Sequence, residues 1–350
     1  MTTSLIREPR PRRGALARTD PEIASPRPPA LGCTDDVADL VITTSYHLLR
    51  VSFTEAQGFF GLRPIWSKGG LFFGCTWDER CLYVGCRNSH VGGVLNPRGE
   101  SILRFDNRLA FKDVWFRSRA LADVHQICRI GGDIWATNTY YNSLLILNRQ
   151  TAASTSYAPL GNSTEPGSAV RGDINHYNTI RYDGRTVYVI ASNINARTGA
   201  GNRRRSELLL IDPLTRVVTK KFQLQGLAAH DIWKERHEYL SLASDRGGLC
   251  GNARRTRWQF KPWLRGLAIW DHLMFCGWTP VNADRNTRAK RDTTAIIVVN
   301  RNTDRVIDRL DLRCAGEVND VMILNQPDQA RFNQEPFHRS RAGQPAKRRR

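Results

Sequence analysis

The sequence of 350 residues lacks the short motifs by which many enzyme classes are recognised. It contains no G-x-S-x-G nucleophile elbow, no glycine-rich loop with a lysine that would cradle a phosphate, and no dinucleotide-binding fingerprint. Esterase, kinase and simple dehydrogenase chemistry is therefore not indicated. Helical periodicity is also nearly absent, so the chain must be interpreted from its strands and turns.

Long apolar runs and paired cysteines are missing as well. No apolar run approaches the ~18–20 residues of a membrane-spanning helix, and no apolar segment of a secretory signal follows the first arginines. The eight cysteines are scattered without a C-x-x-C pair, so zinc-site spacing is not seen. We therefore expect a cytoplasmic protein with no transmembrane segment, in which most cysteines act as small hydrophobic residues.

Acidic residues are too few to balance the basic ones, and the formal net charge is +19. Much of the excess lies at the two ends, where arginine and proline are frequent and the chain closes in Lys347–Arg350. Segments of this composition bury too little apolar surface to offset their ordering entropy. We expect disordered basic tails at 1–38 and 327–350, on either side of a folded region at 39–326.

The folded region is itself basic, which indicates either a solvated arginine-rich surface or a surface for anionic partners. No zinc finger, helix-turn-helix or aromatic-studded RNA-binding strand accompanies the charge. Nucleic acid is therefore an unlikely partner. The partners that fit better are a small anionic or sugar-like ligand and a second protein.

An internal repeat of two apolar strands around a polar or glycine turn runs through the chain. Its copies lie at 71–88, 124–139, 176–193, 230–244 and 265–278, with a half-copy at 317–324. Each hairpin leads into further strands, such as 207–215 and 216–224. Four strands in each unit of roughly 35–55 residues are typical of a β-propeller blade.

The two ends of the folded region complement each other. The half-copy at 317–324 supplies inner strands, whereas 39–53 supplies two strands with no inner strand before them. A blade built from both ends would close the ring and leave no open sheet edge. We predict an all-β fold: a single β-propeller of six four-stranded blades, closed by pairing the N- and C-terminal strands.

Several short motifs, in a fixed order, resemble those of an uncharacterised bacterial β-propeller family. They are H-x-I at His125 with W-x-x-N-T at 135–139, R-G-L-A at 265–268, the strand at 296–300, and E-V-N-D-V at 317–321. The likeness covers about residues 41–326. The chain departs from the family pattern at 270–272 and 300–303. The resemblance implies the propeller fold and assigns no chemistry.

Three histidines precede inner strands of consecutive blades: His125, His176 and His230. Residues that begin successive inner strands converge at one mouth of the axial channel. The three imidazoles could therefore bind a divalent metal such as iron, manganese or zinc, with positions left open for substrate. They could equally bond neighbouring backbone and pack the channel. Asp123 and Asp173 lie beside them.

Without a metal, the same histidines could act as general acid and base, with Arg265 stabilising a developing anion. Catalytic candidates are thus His125, His176, His230 and Arg265, and the first three are also the metal candidates. The ligand-binding candidates are Asn138, Asn178, Asp231, Asn319, Asp320, Arg203 and Arg204.

Two longer segments stand outside the simple repeat. The Gly/Arg-rich stretch at 194–206 could be a lid or a solvated excursion. The segment at 246–263 mixes basic residues with Trp258, Phe260 and Trp263, a combination that suits a sugar ligand or a flap packed over the ring.

Two functional classes follow from the sequence. The first is a propeller that binds a small anionic or carbohydrate-like ligand at the axial channel and acts on it as a lyase, oxygenase or hydrolase. Its chemistry would be histidine-based or metal-assisted. The second is a non-catalytic propeller that serves as a scaffold for a protein or ligand.

Overall fold

A computed structural model of the protein describes residues 36–324, with gaps. The gaps are at 69, 79, 88–98, 162–172, 194–195, 197–198, 200, 203, 236–237, 253–255, 261–262, 281–292 and 314. The expected tails lie outside the described residues, apart from 36–38, where Ala38 already begins the first strand.

The described residues form six four-stranded antiparallel sheets, which are the six blades of the predicted β-propeller. Blade 1 contains β1 (Ala38–Thr44), β2 (Leu48–Thr54), β3 (Gly58–Trp66) and β24 (Val318–Ile323). Blade 2 contains β4 (Leu71–Trp77), β5 (Cys81–Arg87), β6 (Glu100–Asp106) and β7 (Phe111–Ser118). Blade 3 contains β8 (Ile127–Ile130), β9 (Asp133–Asn138), β10 (Ser143–Asn148) and β11 (Ser154–Tyr157).

The remaining blades follow in chain order. Blade 4 contains β12 (Tyr177–Tyr182), β13 (Val187–Ala191), β14 (Glu207–Ile211) and β15 (Val218–Gln223). Blade 5 contains β16 (Ala229–Glu235), β17 (Glu238–Ala243), β18 (Gly248–Gly251) and β19 (Thr256–Gln259). Blade 6 contains β20 (Leu264–Trp270), β21 (Leu273–Trp278), β22 (Thr294–Asn300) and β23 (Arg305–Leu312). Within the described residues the one helical element is a 3-10 turn at Thr139–Tyr141, and no helix there could cross a membrane.

The ring closes through blade 1, as the sequence predicts. Strand β24 from the end of the folded region pairs antiparallel with β1 from its beginning, with Ile323 opposite Leu40 and Val321 opposite Ile42. Strand β3 adds a third outer strand beyond the two expected at 39–53. Strands from both ends of the folded region therefore share one sheet. The ring has no open sheet edge at the point where it closes.

The core lies between the faces of neighbouring blades. Strand β22 is a continuous apolar run and is buried along almost its whole length, because both of its faces pack against other blades. Between blades 6 and 1, the ring centroids of Phe53 and Phe275 lie 5.2 Å apart in an edge-to-face contact. The outermost strand, β23, instead carries exposed residues along most of its length.

The segment at 246–263 is built into the blades and is not an insertion. It supplies β18 and β19, the third and fourth strands of blade 5. Trp258 stacks on Phe260 with ring centroids 6.3 Å apart, and both pack into the apolar cluster between blades 5 and 6. Packing is therefore the role of these two aromatic residues, whereas Trp263 reaches the channel mouth.

Inner strands are irregular near their first residues, and this irregularity shapes the channel mouth. Register shifts interrupt β4, β12, β16 and β20 close to their starts. Such bulges redirect side chains and bend the strand. Asp231 in β16 and Gly266 in β20 adopt left-handed backbone angles, with φ of 51° and 75°.

Cysteines have a packing role in this fold. The six described cysteines are all buried and none forms a disulfide. Burial raises the pKa of the Cys86 thiol to about 12, with the Glu100 charge acting in the same direction. The Cys86 thiol is therefore protonated near neutral pH and is not a nucleophile.

Candidate functional site

Five inner strands carry a polar residue two positions before a buried aliphatic one, and these residues surround one mouth of the channel. They are His125, Asn178, His230, Arg265 and Asn319, followed by Ile127, Ile180, Ile232, Leu267 and Val321. In this alignment His125 and His230 are equivalent. His176 lies two residues before Asn178, so the expectation of three histidines at one register does not hold for it.

His125 and His176 nevertheless meet at the boundary between blades 3 and 4. Their ring centroids lie 4.7 Å apart, nearly edge to face. Asp123 completes the group: one ligand-type atom from each of the three residues lies within 4.8 Å of the others. Asp123 Oδ2 is 3.6 Å from His125 Nε2, and the Nδ1 atom of His176 contacts the Asp173 carboxylate.

Arg87 holds Asp123 in place. Its Nη1 lies 2.5 Å from Asp123 Oδ1, its Nε donates to the Val124 carbonyl at 2.9 Å, and its guanidinium lies over the Phe73 ring at 3.8 Å. Burial tends to raise the pKa of Asp123, but the Arg87 charge and the nearby His125 outweigh burial and hold that pKa well below its usual range. The carboxylate is therefore ionised at neutral pH.

His125 is neutral and available as a base or ligand. It is only 8% exposed, and its Nε2 has no hydrogen-bond partner among the described residues. Burial, reinforced by the Arg87 charge, lowers the pKa of His125 well below its usual value. A neutral imidazole keeps one nitrogen lone pair for a ligand.

His230 is held in one tautomer by its surroundings. Its Nδ1 lies 2.8 Å from the Ala228 carbonyl oxygen and 2.8 Å from Ser244 Oγ, whose hydroxyl donates to the Leu264 carbonyl at 2.6 Å. A carbonyl only accepts, so Nδ1 must carry the proton. Nε2 is then an acceptor, and it is buried without a hydrogen-bond partner in the described part of the chain.

The surroundings of His230 also keep it neutral. Burial lowers its pKa well below the usual value, and the Arg265 charge acts in the same direction. His230 lies outside the group formed by Asp123, His125 and His176.

Trp263 and Arg265 border the mouth beside His230. The ring centroids of His230 and Trp263 lie 6.0 Å apart, and the Arg265 guanidinium is 5.4 Å from the Trp263 ring. Arg265 Nη1 is 3.3 Å from Glu317 Oε2. The mouth thus offers an aromatic face, a cation and an acceptor nitrogen within one neighbourhood.

Asp231 and Asp320, two of the predicted ligand-binding residues, are engaged by the protein below the mouth. Arg181 Nη2 lies 2.6 Å from Asp231 Oδ1 and 3.3 Å from Asp320 Oδ1. Asp320 Oδ2 accepts from the Cys75 backbone N–H at 3.1 Å and from the Gln126 side chain at 2.9 Å. The structure therefore gives these carboxylates a role in joining blades.

The three predicted asparagines also bond backbone. Asn178 Nδ2 donates to the Ala229 carbonyl, and Asn319 Nδ2 donates to the Phe72 carbonyl, each at 2.8 Å across a blade boundary. Asn138 accepts from the Ala122 N–H at 2.8 Å and so anchors the segment that leads to Asp123. These three side chains hold the backbone around the mouth in place.

The predicted arginine pair at 203–204 contributes no described contact with the mouth. Arg203 lies outside the described residues. Arg204 is exposed, and its backbone N–H donates to the Ala196 carbonyl at 3.0 Å. Whether the segment at 194–206 acts as a lid stays a prediction.

Several residues at the mouth had no role in the sequence-based interpretation. Asp123 and Asp173 were noted only as neighbours of the histidines, although each precedes one by two or three residues. That spacing was the available signal. Arg87 carried no signal, because its contact with Asp123 depends on how blades 2 and 3 pack.

Comparisons with known proteins support the fold. No family model and no curated protein matches this sequence. A chain from the crystal structure of a nidogen/laminin complex is similar, with a TM-score of 0.59 and 9% identity over 81% of this chain and 97% of that one. A protein of unknown function from Bacteroides caccae gives a TM-score of 0.50 and 9% identity over 81% and 98%. At such identities the likeness shows a shared fold alone, and the chemistry has to be argued from the mouth.

Proposed function

We propose that this propeller binds a small, hydroxylated and acidic ligand, of the sugar-acid class, at the channel mouth beside His230. The observation that carries the proposal is the His230 imidazole, which is buried, neutral and fixed with Nε2 as an acceptor that lacks a partner in the described chain. Buried polar atoms in native proteins are nearly always hydrogen-bonded, so an orphaned one indicates a missing partner.

The chemistry of that partner follows from the donor and acceptor pattern. His230 Nε2 accepts, so it requires a ligand group that donates, such as a hydroxyl. A hydroxyl bound there would meet a neutral base, and His230 would be the residue that takes its proton in a reaction. A purely anionic ligand without donors would leave Nε2 unsatisfied.

Two neighbours favour a sugar-like ligand that carries an acidic group. The Trp263 ring offers a flat apolar face of the kind on which sugar rings pack. Arg265 lies beside it and would bind the ligand's carboxylate, in competition with its present partner Glu317. The basic balance of the whole chain would favour the approach of such a ligand.

Nuclear magnetic resonance tests the proposal with glucuronate and gluconate as probes, and with glucose and succinate as comparisons. We expect the two sugar acids to move the His230 Nε2 resonance and to bind at least about tenfold more tightly than the comparison compounds. A His230→Phe variant should lose this binding. His272→Gln, which alters a histidine in the hairpin turn between β20 and β21, is the matched control and should retain it.

The same spectra separate the two functional classes. Conversion of a bound sugar acid over time, abolished in His230→Phe, would assign an enzyme. Binding without conversion would assign the non-catalytic, ligand-binding class. If none of the four compounds perturbs His230, the proposal is wrong.

A further inference from the structure

We propose a second site at the same mouth: Asp123, His125 and His176 bind one divalent transition-metal ion of the zinc, iron(II) or manganese class. Two imidazole nitrogens and one carboxylate oxygen form a ligand set that these ions accept, with coordination positions left open. The ligands are different residues from His230, Trp263 and Arg265. The inference therefore does not depend on the sugar-acid proposal.

The spacing of the donor atoms fits one ion. Ligands at about 2.0–2.2 Å from a tetrahedral ion lie roughly 3.4 Å from each other. Asp123 Oδ2 and His125 Nε2 are already 3.6 Å apart, and the whole set lies within 4.8 Å. Coordination of one ion therefore requires the third donor to approach by no more than about 1.4 Å, from 4.8 Å to 3.4 Å.

A buried atom without a partner points to the ion independently. His125 is 8% exposed, and its Nε2 is one of the buried polar atoms for which the described chain supplies no hydrogen bond. The nearest carboxylate oxygen, Asp123 Oδ2 at 3.6 Å, is too distant for a hydrogen bond. An ion between the two atoms would satisfy both.

The surroundings have the form of an outer coordination shell. The Nδ1 of His176 contacts the Asp173 carboxylate, and a carboxylate on the second ring nitrogen is the usual support of a metal-binding histidine. Arg87 binds Asp123 through Oδ1 and leaves Oδ2 on the side of His125. Asp123 and Asp173 together offset the charge that Arg87 places near the ion.

Two of the three ligands have left-handed backbones, with φ of 59° at Asp123 and 51° at His176. This conformation costs a non-glycine residue of order 1 kcal/mol, and such residues concentrate at functional sites. In this chain the conformation sets the angle at which both side chains leave the backbone just before their inner strands.

The test is a calorimetric titration of the chelator-treated, full-length protein with zinc chloride. Cobalt(II) in place of zinc gives an optical readout of the same site. We expect about one zinc ion per chain. Asp123→Asn and His176→Gln should each weaken zinc binding at least tenfold, and Asp173→Asn should weaken it by roughly 10–100-fold, as outer-shell changes do. Asparagine tolerates the left-handed backbone, so Asp123→Asn should remain folded.

His230→Gln is the matched control, because it removes the third histidine of the mouth without touching the proposed ligands. It should leave zinc affinity unchanged within twofold. Zinc binding that is lost in His230→Gln would overturn the assignment and favour a three-histidine site. Binding that is equal in the wild type, Asp123→Asn and Asp173→Asn would show surface binding only and would also overturn it. When the sugar-acid experiment is carried out on the chelator-treated protein, it reads out His230 without a metal, so the two proposals fail separately.

Discussion

Arg181 Nη2 in blade 4 lies 2.6 Å from Asp231 Oδ1 in blade 5. The same nitrogen lies 3.3 Å from Asp320 Oδ1 in blade 1, which is opposite blade 4 in the ring. The two carboxylates bond the remaining inner strands: Asp231 accepts from the Gly266 N–H in blade 6, and Asp320 accepts from Cys75 in blade 2 and Gln126 at the start of blade 3. One buried ionic network thus joins all six blades across the channel.

Removal of the arginine from this network should be costly. Arg181→Met leaves two buried carboxylates without their cation, and loss of one partner from a buried ionic pair costs about 3–5 kcal/mol. We expect that decrease in the free energy of unfolding, measured by denaturant titration. The matched control is Arg309→Met, whose exposed pair with Asp311 should contribute no more than about 1 kcal/mol. Equal effects of the two variants would contradict the role of the network.

Gly266 should tolerate no side chain. Its φ of 75° disfavours other residues, and an added Cβ would lie 2.9 Å from the Asp320 carbonyl carbon and the Val321 nitrogen, which are backbone atoms that cannot move aside. Gly131 has a similar φ of 59°, but nothing lies within 4 Å of its added Cβ. We expect Gly131→Ala to cost about 1 kcal/mol of stability and Gly266→Ala to cost at least twice as much. The two losses of stability are compared by thermal unfolding of both variants. A similar loss in both would show that contact with the Asp320 and Val321 backbone adds no cost at Gly266.

Glu100 should make the protein less stable as the pH rises through the acidic range. Burial raises the pKa of this carboxyl to about 7, although the Arg87 charge opposes the rise. Between about 4.5 and 7 the native protein keeps a proton that the unfolded chain releases, so stability falls by about 1.4 kcal/mol per pH unit from this group. Glu100→Gln should remove that component of the slope. Unfolding free energies measured from pH 4 to 8 test this, and identical slopes in the two proteins would refute it.

His230 should stay neutral and protonated on Nδ1 at a pH where an ordinary histidine is already charged. Burial is the main cause of its lowered pKa, and Arg265 is the second. Removal of the cation in Arg265→Gln should raise the pKa of His230, whereas Arg265→Lys should leave it low. Nitrogen chemical shifts followed against pH give both the tautomer and the pKa. An Nε2–H tautomer in the wild type would remove the basis of the proposed ligand contact.

Much of the architecture was predictable because it depends on local patterns. The apolar strands and turn residues recur from 71–88 to 317–324, and each copy forms an inner hairpin or strand where the sequence indicates it. The missing outer strands at the end and the missing inner strand at the start predicted the closure that β1 and β24 make. The strand and turn patterns depend on residues close together in the sequence, within a single blade.

The mouth was only partly predictable. The contact of His125 with His176 followed from their places before inner strands, whereas His230 lies outside their group. Their register did not follow, because the left-handed residue at His176 and the shift at the start of β12 move that side chain relative to the others. Asn178 and Asn319 were predicted to bind a ligand, and the structure adds that their amide nitrogens donate to the carbonyls of neighbouring blades.

Five copies of the repeat and a half-copy in the sequence predicted six blades and a ring closed by the two ends of the folded region. Only the tertiary structure decided which imidazole meets which carboxylate. Arg87 is 36 positions from Asp123 and Arg181 is 139 positions from Asp320, and both contacts cross blade boundaries. Hydrophobic periodicity specifies strand boundaries to within about 2–4 residues, whereas hydrogen bonds and metal ligands require donors placed to within about 0.5 Å. That precision arises only when the blades pack around the axis.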